Sequence, residues 1–230
     1  MSSPVCFPCS SLGMKFCMGI TGLLLVGFVL GHMSGNLLIY MGPDAINEYA
    51  EFLHKAGHGV LIWVARAGLL TIFATHLFLA FALRKKNSDA RPVPYAVDET
   101  LQATWASRHM MLTGILIFAF VIYHIAHLTL GLTDPSGFKD NLPRDAHQRH
   151  DVYKMVVHGF KQPLVSGLYI LAQLALGLHL SHGAGSWLQS LGLARGWVRK
   201  LVMPLGLGIA ILVVAGNCSI PVSILLGWVK

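Results

Sequence analysis

Four histidines, His32, His76, His124 and His179, each lie deep within an otherwise apolar stretch of the chain. An imidazole inside hydrocarbon is costly and is functional by default, as a proton relay, a buried hydrogen-bonding group or a metal ligand. The competing structural reading, a ring that merely bonds a neighbouring helix, suffices for any one of them alone. Counted from the charged ends of their segments, the four fall into two levels. His32 lies 17 residues beyond Lys15 and His124 lies 16 beyond Arg108, whereas His76 is eight residues before Arg84 and His179 is just before His182-Gly183. A helical rise of 1.5 Å per residue separates these levels by roughly 10–15 Å. Two imidazole pairs stacked at that interval suit two bis-histidine haems, which leave no coordination position open to a substrate and so serve electron transfer. A local motif supports the pairing of first with third. Thr21-Gly22 precedes His32 and Thr113-Gly114 precedes His124, with nine residues between glycine and histidine in both cases.

The segments that must position these rings are membrane helices. With 54% apolar and only 12% charged residues among 230, the chain is too apolar for a water-soluble domain. Five stretches, about 15–41, 59–83, 110–132, 163–182 and 201–226, reach the roughly 20 residues that a helix needs to cross the hydrocarbon. Nothing alternates with the period of two that a membrane barrel requires, and backbone groups in lipid must be satisfied within each segment. The expected fold is therefore an all-α membrane protein, one domain over residues 1–230 with five transmembrane helices, the first four forming a haem-binding bundle. The first stretch is too long for a cleavable signal and contains Lys15, His32 and Asn36.

Lys and Arg concentrate in two short connections, Arg84, Lys85, Lys86, Arg91 and Arg108 in one and Arg195, Arg199 and Lys200 in the other. Both read as cytoplasmic, which places the N-terminus inside and the C-terminus outside. This asymmetry explains the net charge of +7 without nucleic acid. Trp63, Trp105, Trp187, Trp197 and Trp228 fall at or just beyond span ends, at headgroup level. The stretch 133–162 is the largest piece outside the membrane, and its His147/His150 pair lacks a third ligand for a metal site. Cys6 and Cys9 form a lone CxxC, while Cys17 and Cys218 read as small apolar fillers.

Glycines at 27, 31 and 35 around His32, and Gly177 and Gly183 around His179, are placed either to admit a flat macrocycle or to pack helices closely. Two ligands have rivals one turn away, His127 after His124 and His182 after His179. His124 is preferred because it repeats the glycine-to-histidine spacing of the first helix, and His179 because it lies further inside its span. Both rivals remain candidates to bond a haem propionate. Arg66, near the start of the second span, is a further propionate partner, the alternative being an arginine that snorkels to the interface.

In combination, several segments resemble the dihaem cytochrome b subunit of succinate:quinone oxidoreductases. They are Ser11-Leu12-Gly13-Met14-Lys15-Phe16, Gly31-His32-Met33-Ser34-Gly35-Asn36-Leu37, Trp63-Val64-Ala65-Arg66-Ala67-Gly68, Ala90-Arg91-Pro92-Val93-Pro94-Tyr95, Tyr123-His124-Ile125-Ala126-His127 and Leu178-His179-Leu180-Ser181-His182-Gly183. The likeness is to the five-helix, single-anchor b558 type of bacterial succinate dehydrogenases and fumarate reductases, and it spans nearly the whole chain.

That resemblance implies a multi-pass anchor in the bacterial cytoplasmic membrane, holding an FAD-containing flavoprotein subunit and an iron–sulfur subunit on the cytoplasmic face. Electrons from succinate would pass through FAD and three iron–sulfur clusters to two b haems and then to a quinone, menaquinone in preference to ubiquinone. It makes His32 and His124 ligands of the distal haem, and His76 and His179 ligands of the proximal haem. Some fumarate reductases of this family carry a glutamate two residues before the fourth ligand, and this chain has Gly177 there, which argues against that proton route.

Quinone reduction needs a proton donor within hydrogen-bond reach, and Glu51, His54 and His58 are candidates at the outer end. Electrons crossing outward would be driven by an inside-negative potential, about 2.3 kcal/mol per charge per 100 mV. Two other readings stay open: the dihaem cytochrome b of a hydrogenase or formate dehydrogenase, and a haem-free transporter that uses its histidines as proton relays through broken helices.

Overall fold

The computed structural model describes residues 10–91, 93 and 103–230. Every regular element among them is helical: α1 (Ser11–Asn36), α2 (Pro43–Lys55), α3 (Val60–Asp89), α4 (Trp105–Arg108), α5 (Met110–His124), α6 (Val152–Phe160), α7 (Pro163–Ser190) and α8 (Val202–Leu225). Short 3-10 turns cover Leu37–Met41, Ala56–Gly59 and Gly196–Leu201, and a π turn, Ile125–Thr129, continues α5. Five helical runs are long and apolar enough to cross a membrane. They contain α1, α3, α5, α7 and α8, so the chain is an all-α, multi-pass membrane protein. Cys6, Cys9, Pro92, Pro94 and Tyr95 lie outside the described residues.

The spans differ from the expected bounds at their charged ends. α3 continues through Arg84, Lys85 and Lys86 to Asp89, where Lys85 closes an i,i+4 ion pair of 2.7 Å on Asp89. α7 continues past His182-Gly183 to Ser190. Glycine does not stop a helix whose face is packed, and Gly185 lies at a close helix crossing. A Cβ there would strike the Val202 carbonyl, and one at Gly206 would strike the Ser181 carbonyl, so α7 and α8 meet backbone to backbone. Gly177 serves the same crossing, facing Val214, and Gly35 faces the Tyr49 ring. Of the glycines near the histidines, these two are packing glycines. Gly27 and Gly31 instead have nothing within 4 Å of a built Cβ.

α8 also presses on α1, where Gly216 admits Met33, and carries a polar clasp to α7 through Asn217 Nδ2, which donates to Gln173 Oε1 at 3.0 Å. α1 packs on α3 and α7, and α5 packs on α7. α3 buries little more than Leu79 among its neighbours.

The connections 37–59 and 130–162 lie together at one end, called here the loop end, and the Lys/Arg-rich connections lie at the basic end. Two amphipathic elements cap the loop end. α2 opens on Pro43 at its first turn, and α6 is capped by Asp151, whose side chain accepts from the Lys154 N–H at 2.9 Å. They are joined through Asn47, 1% exposed, which donates to Asp145 Oδ2 and Asp151 Oδ1 and accepts from the Tyr153 N–H at 3.0 Å. Arg149 completes the cap with 2.7 Å bonds to Asp145 and Asp44. His147 and His150 are drawn apart, to Asp44 and Asp140 respectively.

Burial works against the charge of Asp145. The N–H and guanidinium of Arg149, the His147 N–H and the Asn47 amide outweigh it and hold the carboxyl at about 2. A depressed carboxyl stabilises the folded cap in full above its ordinary value of about 3.9 and loses that contribution as pH falls through the folded value. Hydrogen-exchange protection of 141–153, corrected for intrinsic rates, is therefore expected to hold from neutral pH to about 4 and to decline towards pH 2. Asn47→Ala strands buried partners and is expected to destabilise the cap by about 1–3 kcal/mol. Faster protease cleavage within 133–151, with the spans intact, is the readout.

Candidate functional site

At the loop end the last turn of α1 brings His32 to His124 at the end of α5. Their ring centroids are 5.9 Å apart with planes at 84°. Two nitrogen–metal bonds of about 2 Å plus the ring radii come to about 6 Å, so the gap has the size of one metal ion between two ring nitrogens. Phe28 stacks on His32 at 5.4 Å and Phe120 flanks His124 at 5.8 Å, which makes the surroundings apolar. His32 itself stays accessible.

The Nδ1 of His124 lies 3.3 Å from the Tyr169 hydroxyl, and the same hydroxyl lies 2.9 Å from Nδ1 of His127. A hydroxyl has one proton, so a consistent order has His124 Nδ1–H donating to Tyr169 and Tyr169 donating to His127. That order leaves Nε2 of His124 with a free lone pair, the form in which imidazole binds a metal. The π turn over Ile125–Thr129 widens the helix just past His124 and turns His127 away. His127 is 5% exposed and faces α6, where a Cβ on Gly159 would lie 2.9 Å from its Cε1 and Nε2.

At the other level the bonding is different and doubled. His76 Nδ1 is 3.0 Å from Thr21 Oγ1, and His179 Nδ1 is 3.1 Å from Thr113 Oγ1. Each threonine hydroxyl also donates back along its own helix, Thr21 to the Cys17 carbonyl at 2.9 Å and Thr113 to the His109 carbonyl at 3.1 Å. When its proton goes to that carbonyl, each hydroxyl accepts from the imidazole, the arrangement that leaves Nε2 as the ligating nitrogen; His179 also has the Met110 backbone within hydrogen-bond reach. Gly22 and Gly114 sit beside the same rings, each with a built Cβ 3.5 Å from Cε1 of His76 or His179. The arrangement of α1 on α3 is thus repeated by α5 on α7. His76 and His179 are within electrostatic reach of each other.

The Thr-Gly motif, which by sequence belongs with His32 and His124, therefore contacts the other two histidines. Eleven residues separate each threonine from the histidine of its own helix, about 16 Å of rise, so the two levels are well separated. The continuation of α7 to Ser190 also sets His179 deeper than its expected place near the helix exit. His182 lies on the wall of a separate recess of about 430 Å³ with Thr104, Ser181, Val202 and Pro204.

Arg66 is exposed, its guanidinium carbon 4.9 Å from the Trp63 ring centroid. Glu51 pairs with Lys55 at 2.7 Å, and His54 Nδ1 bonds the Ala50 carbonyl at 2.8 Å. His58 takes a left-handed φ of 54° in the turn that joins α2 to α3. These three lie on or next to α2, away from the paired rings in bonding terms. Tyr169 is the residue the sequence reading passed over, since one tyrosine in an apolar span carries no periodic signal. Among the described residues no group of three or more His, Cys, Asp or Glu forms a metal site, whereas axial ligation of a planar macrocycle asks for two.

No protein-family model and no solved structure matches the chain. Two curated proteins do, both named fumarate reductase cytochrome b subunit, from Helicobacter pylori strains 26695 and J99. Each is 28% identical over 205 residues, covering 82% of this chain and 69% of the relative. The likeness is distant and runs along most of both chains.

Proposed function

We propose that this chain is the membrane cytochrome b subunit of a succinate:quinone oxidoreductase, carrying electrons between an iron–sulfur subunit and a membrane quinone by way of two b haems. The observation that carries this reading is the pairing of four intramembrane histidines at two levels. Three of them, His76, His124 and His179, have Nδ1 within hydrogen-bond distance of a hydroxyl, which supports Nε2 as the ligating nitrogen. The name borne by the two relatives supports this complex over a hydrogenase or formate dehydrogenase partner. The spans that carry the histidines are helical through their middles, without the broken pair that a transporter site would call for.

In this reading His32 and His124 hold the haem at the loop end, and His76 and His179 hold the haem at the basic end. Bound haem iron supplies a one-electron carrier at each level. The chain contributes ligand orientation, through the Thr and Tyr hydroxyls, and an apolar shell, through Phe28 and Phe120, that keeps water from the iron. The basic end faces the cytoplasm and receives the flavoprotein and iron–sulfur subunits, with the N-terminus inside and the C-terminus outside the bacterial inner membrane. Arg66, His127 and His182 are held in reserve for propionates. Glu51, His54 and His58 remain the proton-donor candidates for a quinone near the loop end, and menaquinone is the expected quinone.

Purified with its partners, the complex is expected to contain two b haems per chain, reduced at least in part by succinate. His32→Ala and His124→Ala should each remove one haem, and His76→Ala and His179→Ala the other, while His127→Ala and His182→Ala retain both. Pyridine haemochrome counts and reduced-minus-oxidised spectra read this directly. Absence of haem, or its loss in the His127 and His182 variants instead, would overturn the ligand assignment. Two haems that succinate cannot reduce would overturn the choice of complex.

A further inference from the structure

The two levels are held by different chemistry. At the loop end His124 shares one tyrosine hydroxyl with His127, and among the described residues no hydroxyl accompanies His32, whose ring is stacked by Phe28. At the basic end each ring has its own threonine, on the neighbouring helix, in the same register and with nearly the same geometry. Thr21 and Thr113 are 9% and 3% exposed, among the few buried polar side chains of the spans. A threonine that only satisfied itself in a helix would need no more than its bond to a carbonyl one turn back, which both already have. With that bond made, a lone pair remains for the imidazole Nδ1 at 3.0–3.1 Å.

We propose that Thr21 and Thr113 are positioning residues that set the reduction potential of the basic-end haem, by fixing His76 and His179 as Nδ1–H donors and strengthening Nε2 as a ligand. This rests on the haem ligation proposed above. An Nδ1–H that donates to an acceptor pushes electron density towards Nε2, which favours the more highly charged oxidised iron and lowers the potential. Removing the acceptor reverses the effect. Because the two threonines stand on different helices, 92 positions apart, helix stapling alone gives no reason for both to act on one and the same haem.

The test is a redox titration of the whole complex carrying Thr21→Val, Thr113→Val, or the corresponding Ser variants, followed optically and by the low-spin electron paramagnetic resonance signals. Each Val variant is expected to raise the same one of the two midpoint potentials by about a tenfold change in its reduction equilibrium, which is about 59 mV for one electron, and to leave the other in place. The Ser variants, which keep the hydroxyl, should return the wild-type value. If a Val variant does not accumulate, Thr→Ala removes the same hydroxyl with less bulk and is read in the same way. Two haems with both potentials and both signals unchanged in the Val or Ala variants would overturn the proposal, as would shifts that fall on different haems for Thr21 and Thr113. A wild-type complex without haem would instead overturn the proposed function, which keeps the two failures distinct.

Discussion

An imidazole in hydrocarbon must have both of its nitrogens accounted for, and most of the bundle answers to that constraint. Water is absent there, so the partner has to come from a neighbouring helix. Threonine is well suited, because a helix leaves its hydroxyl next to a carbonyl one turn back that takes the proton and leaves a lone pair to offer. Thr21 and Thr113 do this for His76 and His179, and Tyr169 does it for His124 from the second turn of α7. Each bond crosses between helices, so the polar groups that prepare the rings also fix how α1 meets α3 and how α5 meets α7. The free nitrogens, rather than the bonded ones, define the site.

The rest of the architecture holds the four histidine helices in place mainly from one side. α8 locks onto α7 at a crossing so close that Gly185 and Gly206 oppose carbonyl groups, and onto α1 at Gly216. This gives one side of the bundle a dense wall. α3 lies against α1 with little of its surface buried, and His32 borders open space beside Gly27 and Gly31. At the loop end α2 and α6 close the structure through Asn47, Asp145, Arg149 and Asp151, groups that water would otherwise compete for.

Much of this was legible in the residues. Composition and span length determine an all-helical membrane fold, because twenty apolar residues in a row have one main solution in lipid. The two levels of histidine follow from counting along helices of known rise. Other features were not legible, for physical reasons. The extension of α7 past Gly183 depends on its contact with α8, a tertiary effect that overrides local propensity. The repeated Thr-Gly pairs were visible, but one-dimensional spacing relates them to His32 and His124, whereas the bundle turns their hydroxyls towards His76 and His179. Spacing left Gly35 and Gly177 open to macrocycle approach or to helix packing, and the fold gives them the second role, against Tyr49 and Val214. Tyr169 became apparent only once α7 had been laid against α5.

The most direct test of the central claim, that two histidine pairs at two levels each hold one haem, is near-infrared magnetic circular dichroism of the oxidised complex. The charge-transfer band in that region reports the axial ligands of low-spin ferric haem. The account predicts two haems per chain, both with the bis-imidazole signature. A signature of any other axial pair, a high-spin centre with an open position, or a single haem per chain would contradict it.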